Sequence, residues 1–135
     1  GRADGSLMYL APNSVDEAAR SEAGRGGSAT CPIQDQWPAM YAFDILIYNE
    51  GRSTNRMLYS PDIWQLMLVG HERAFSTRTG RPDYLEPIVV ELTPAWRRAL
   101  GRLTPELLET EFDGVLDERR QKALLERRDE MLESM

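Results

Sequence analysis

Apolar and polar positions fall into blocks along this chain, and the clearest succession of blocks runs over residues 42–75. Residues 43–48 form an apolar helix end, and residues 49–55 (NEGRSTN) form a polar loop. Two short apolar runs follow, Met57-Leu58-Tyr59 and residues 64–69, joined by Ser60-Pro61-Asp62-Ile63. Pro61 and Asp62 supply turn chemistry, so the two runs are expected to form a hairpin. The second run is apolar on both faces except at Gln65, the pattern of a strand covered on both sides. Gly70-His71-Glu72-Arg73 comes directly after it. Helix, loop, hairpin and polar tip together put two polar segments side by side at one end of a small sheet, and a site is expected there.

Upstream, Ser6-Leu7-Met8-Tyr9-Leu10 reads as a short strand ended by Ala11-Pro12-Asn13. Ser14 is a candidate N-cap, with Glu17 closing a capping box for a helix over residues 15–22. The segment AGRGGS over residues 23–28 reads as loop, continuing to about Ile33. Asp35 is the expected cap of the next helix, which carries Trp37, Met40, Tyr41, Asp44, Ile45, Leu46 and Tyr48 and is apolar almost all the way round. Asp44 needs a partner in that setting, and the expectation is that it turns to the rim or bonds nearby backbone. Residues 76–82 read as loop and residues 84–92 as a mixed extended segment. Thr93-Pro94 and Thr104-Pro105 each place a capping hydroxyl before a proline in the first helical position. They predict helices over residues 94–101 and 105–112, and Asp117 opens a last helix to about Glu133. On that helix Leu124, Arg128, Met131 and Leu132 share a face, and Glu118 and Lys122 are spaced for an ion pair. The whole predicts a mainly helical α+β domain over residues 1–135. Residues 1–34 are peripheral, residues 35–92 hold helix, loop and hairpin, and residues 93–135 form a helical subdomain.

Composition narrows the function classes. The chain has 135 residues and a formal net charge of -6, which argues against a nucleic-acid footprint. The pairs Arg97-Arg98, Arg119-Arg120 and Arg127-Arg128 are interleaved with acids and read as solvated helix faces. No apolar run approaches the roughly 18 residues of a membrane span. With one cysteine, Cys31, and one histidine, His71, the chain cannot build a Cys/His zinc site. The lone cysteine and the absence of a basic-then-apolar leader set the expectation of a cytoplasmic protein.

The texts FDILIYNEGRSTNRMLY and WQLMLVGHERAF carry a resemblance. The order of apolar helix, Asn-x-Asp-Arg-x-x-x-Asn, two-strand hairpin, Ile-Asp-His and Arg-Ala-Phe resembles the C-terminal lobe of atypical kinases, of the phosphatidylinositol 3/4-kinase-like and HipA-like groups. GSLMYL looks like the strand that joins the two kinase lobes, so the resemblance spans roughly Gly5 to the C-terminus. The N-terminal lobe, with its phosphate-binding lysine, has no counterpart in the sequence.

The resemblance implies a catalytic Asp at position 51, a metal-binding Asn at 56 and a metal-binding Asp at 70. The sequence has Gly51, Arg56 and Gly70 instead. Glycine offers neither base nor ligand, and arginine stays cationic. Glu50, Asn55 and Glu72 are the neighbouring substitutes to weigh. Asn49, His71 and Phe75 match as structural positions, and His71 is expected to be a bonded structural residue rather than a general base. Arg52, Arg56 and Arg73 are candidates to bind an anion without metal.

The expectation is therefore a kinase-like C-lobe, degenerate at its catalytic positions, that serves as a binding or scaffold module. No catalytic residue, resident metal or cofactor is expected, and a protein partner or self-association is. One alternative is an active atypical kinase whose N-lobe is absent from this chain, in which case Mg-ATP is the cofactor. The other is a small helical interaction domain docking through Leu124, Leu125, Met131 and Leu132 of the last helix.

Overall fold

A computed structural model describes residues 11–26 and 32–135. The expected strand over residues 6–10 and Cys31 lie outside the described residues. The described elements are β1 (Val15–Asp16), α1 (Glu17–Glu22), α2 (Ile33–Leu46), β2 (Met57–Tyr59), β3 (Leu66–Leu68), α3 (Pro94–Gly101), α4 (Pro105–Phe112) and α5 (Glu118–Ser134). The three strands form one antiparallel sheet in the order β1-β2-β3. This is an α+β chain with a small sheet and a helical C-terminal half.

The sheet departs from the expected hairpin in two ways. Val15 and Asp16 pair with Tyr59 and Leu58, adding a third strand that the local pattern did not announce. That pairing holds Asp16 extended, so Asp16 rather than Ser14 caps α1: its Oδ1 accepts from the Ala19 N–H at 2.8 Å. Ser14 instead donates to the Ala11 carbonyl, and Glu17 grips Arg20 at 2.7 Å rather than closing a capping box. On the other side, the strand expected over residues 64–69 shortens to Leu66–Leu68. Trp64 has φ +53 and donates its N–H to the Ser60 carbonyl at 2.6 Å, so it belongs to the turn. β3 is half-buried throughout, not covered on both faces.

α2 begins at Ile33 behind Pro32, and Asp35 lies in its first turn without capping it. Pro38 sits inside this helix on its exposed side and has no N–H to donate to the Gln34 carbonyl. The helix end and polar loop fall where expected, with a 3₁₀ turn at Thr54–Arg56 leading into β2. The segment over residues 84–92 is not extended at its start, because Asp83–Leu85 forms a 3₁₀ turn.

The helical half follows the sequence closely. Thr93 and Thr104 accept from the Trp96 and Leu107 N–H groups, each at 3.2 Å, and α3 and α4 have the predicted bounds. Asp117 caps α5. Lys122 lies 3.8 Å from Glu126 rather than pairing back with Glu118. The main core cluster gathers Ala42 and Ile45 of α2, Leu85, Val90, Leu92, Leu100 and Met131. Of the apolar residues of α5, Leu124 and Met131 are buried inside the molecule, while Leu125 and Leu132 are half-buried. No described helix is long and apolar enough to cross a membrane.

Candidate functional site

The polar loop and the tip after β3 do meet, and the group they meet around is Asp44. It lies on α2 with no solvent exposure, so the expectation that it turns to the rim is overturned. A buried carboxylate persists only when donors replace its water. Here Arg52 supplies two, Nε to Oδ2 at 2.7 Å and Nη2 to Oδ1 at 2.9 Å. Asn49 Nδ2 adds a third at 3.1 Å and the Tyr84 hydroxyl a fourth at 2.6 Å. The Tyr84 phenol is pushed far above its ordinary range, first by burial and then by its bond to this carboxylate.

Arg52 is the bracket of the site. Its Nη1 donates to the Arg56 carbonyl at 2.8 Å and the Val69 carbonyl at 3.0 Å, so one guanidinium ties α2, the loop and the end of β3. Its Nη2 also lies 3.2 Å from His71 Nε2. A guanidinium only donates, so Nε2 accepts and the imidazole is neutral with its proton on Nδ1. Burial lowers the His71 pKa, and the adjacent Arg52 lowers it further. The ring meets Phe43 edge-on at 5.8 Å. The Nε2 lone pair of His71 is thus engaged by Arg52.

Asn49 is buried and accepts from the Gly51 N–H at 3.0 Å through Oδ1, which fixes the loop's first turn. Phe75 has φ +59 and donates its N–H to the Ile47 carbonyl at 2.5 Å, closing the tip onto the end of α2. Tyr48 has φ +48, an uncommon conformation for a bulky residue, and its ring lies under Arg78 at 5.1 Å and Arg127 at 5.7 Å.

Arg56 runs across the two glycines. Its Nη1 lies 3.2 Å from the Gly51 carbonyl, 3.4 Å from the Gly70 carbonyl and 2.5 Å from Glu72 Oε1. A Cβ on Gly51 would stand 2.8 Å from Arg56 Nη1, and one on Gly70 would stand 2.6 Å from Arg56 Cδ. Gly70 also has φ +75, a conformation that favours glycine. The three residues therefore form one packed unit, in which the arginine fits because neither neighbour has a side chain.

The remaining candidates are not gathered at one point. Glu50 pairs with Arg78 at 2.8 Å, and Asn55 is exposed on the 3₁₀ turn. A shallow pocket of about 240 Å³ brings Arg52 and Arg73 together with Glu50, Asp83 and Tyr84, and Arg56 does not line it. Arg52 is already committed to Asp44, so Arg73 is the only one of the three predicted anion-binding arginines that is exposed and without an ion pair among the described residues. No group of three or more His, Cys, Asp or Glu side chains is placed to hold a metal among the described residues.

Three participants were missed in the sequence. Tyr84 lies 40 positions from Asp44. Gln36 supports β3 from α2, with Nε2 on the Trp64 carbonyl at 2.8 Å and Oε1 accepting from the Leu66 N–H at 2.7 Å. Arg127 reaches from α5 to the Leu46, Ser76 and Arg78 carbonyls behind the tip. A lone polar residue within an apolar helix face was the available sign for Gln36 and Arg127.

Compared with family models, curated proteins and solved structures, the chain matches none.

Proposed function

We propose that this chain is a kinase-like C-lobe, degenerate at its catalytic positions, that acts as a binding or scaffold module. The observation that carries the reading is the Arg56 side chain lying over Gly51 and Gly70. In the kinase pattern these three positions hold a base and two metal ligands, clustered around a cation. In this chain one fixed guanidinium occupies that space, tied to the Gly51 carbonyl and to Glu72. A divalent ion placed there would meet a like charge that cannot be titrated away. The substitute carboxylates are engaged as well, Glu72 by Arg56 and Glu50 by Arg78. The surrounding frame of Asp44, Asn49, Arg52 and His71 is joined by direct side-chain hydrogen bonds, which supports a retained scaffold with its metal-handling groups replaced.

Titration calorimetry with ATP, with and without magnesium, tests the reading. The expected result is no magnesium-dependent heat. A magnesium-dependent signal that Glu50→Gln or Glu72→Gln abolishes would overturn it in favour of an active kinase.

A further inference from the structure

We propose that copies of this chain associate head to tail, with α3 of one copy seated in the groove between α4 and α5 of the next. The inference uses surface residues remote from Arg56 and stands apart from the kinase-like reading.

The groove has a volume of about 800 Å³. Leu116 and Leu125 supply its apolar floor, Val115 stands 79% exposed at its edge, and the negative charge of Glu109, Asp113 and Glu118 outweighs the one cation of the lining, Lys122. These carboxylates have no ion pair among the described residues. Their placement is unfavourable within one molecule. Glu109 and Asp113 are four residues apart toward the C-terminal end of α4, and the last turn of that helix carries no basic residue. Like charges at this spacing repel, and they add to the negative end of the helix dipole. An external cation at this edge relieves both terms.

The matching cations are in the same chain. Ala95, Arg98, Ala99 and Arg102 form one exposed stripe along α3 and its C-cap. The Arg97 side chain is committed to the Leu132 carbonyl, but the side chains of Arg98 and Arg102 have no partner among the described residues. The two arginines are four residues apart, as are Glu109 and Asp113, so both pairs are spaced by ~6 Å on their helices. Laid antiparallel, α3 of one copy opposes Arg98 to Asp113 and Arg102 to Glu109 of the next, while the small Ala95 and Ala99 allow close approach to the apolar floor. The two surfaces differ, so the contact is heterologous: each copy has one donor helix and one acceptor groove.

Sedimentation of three proteins tests this. Wild type is expected to assemble with rising concentration, and to do so more weakly at about 0.5 M than at about 0.1 M salt. Glu109→Gln/Asp113→Asn strips the groove of the charges that face the two arginines, and Arg98→Glu/Arg102→Glu spoils the helix. Either double variant alone is expected to lose association by ~100-fold or more, with an unchanged circular dichroism spectrum. Mixing the two variants leaves one intact helix and one intact groove, so a 1:1 complex should return. A wild type that stays monomeric at every concentration overturns the proposal. So does a pair of variants that assemble like wild type, or a mixture that stays monomeric.

Discussion

His71 is the residue whose chemistry changes most readily with conditions. Its Nε2 accepts from a buried arginine, so protonating it places two cations 3.2 Å apart. The folded-state pKa is lowered from the ordinary value near 6.5, so the unfolded chain takes up the proton first. Stability is therefore complete above about pH 6.5 and falls as pH drops through and below it, by at most ~1.4 kcal/mol per pH unit. Urea midpoints measured between about pH 8 and pH 5.5 should show this loss. In His71→Gln, which keeps an acceptor for Arg52 and does not titrate, that part of the slope should vanish.

Legibility at the residue scale depended on where the partner lies. Gly51, Arg56 and Gly70 could be singled out in the sequence, because a motif pattern fixes positions. That Arg56 lies over both glycines could not, because the contact is set by the fold between Gly51 and Gly70. Asp44 shows the same limit. Its place in an apolar helix marked it as needing partners, but all three residues that donate to it, Asn49, Arg52 and Tyr84, lie outside α2.

Among the elements, the small sheet is the most dependent on support from elsewhere. β3 is an edge strand of three residues, and its outer side is held by the amide of Gln36 from α2. Gln36→Ala removes a donor and an acceptor to backbone groups, which should cost ~1–3 kcal/mol. Hydrogen exchange at the Leu66 amide should accelerate by more than at the amides of α5, which the substitution does not touch. The helices were legible because their signals are local: a threonine before a proline caps its helix whatever surrounds it. β1 was not, because two residues become a strand only through pairing with β2, and that pairing also moved the cap of α1 from Ser14 to Asp16.

Across the whole molecule, Arg127 links the helical half to the site. It has no solvent exposure and no carboxylate partner among the described residues. Its donors go to the Leu46, Ser76 and Arg78 carbonyls, and its Nη2 lacks a hydrogen-bond partner. Burial lowers its pKa to about 10, which still leaves it charged at neutral pH. The Leu46 carbonyl ends α2, so the cation also meets the negative end of that helix dipole. Arg127→Met keeps most of the volume but strips three partly buried carbonyls of a donor, with an expected cost of ~1–3 kcal/mol. The segment around Arg78 should then be cut faster by trypsin, while the spectrum of the helices persists.

The sequence by itself determined the helix spans of the C-terminal half, the place of the hairpin, and the meeting of two polar segments at its end. Each follows from contacts within a few residues or from the period of apolar positions. The tertiary structure decided what those polar segments hold. It buried Asp44 under four donors, kept His71 neutral against Arg52, and laid Arg56 across Gly51 and Gly70. Those outcomes depend on side chains brought together from distant positions, where desolvation makes each charge take a particular partner, and no local pattern encodes which one.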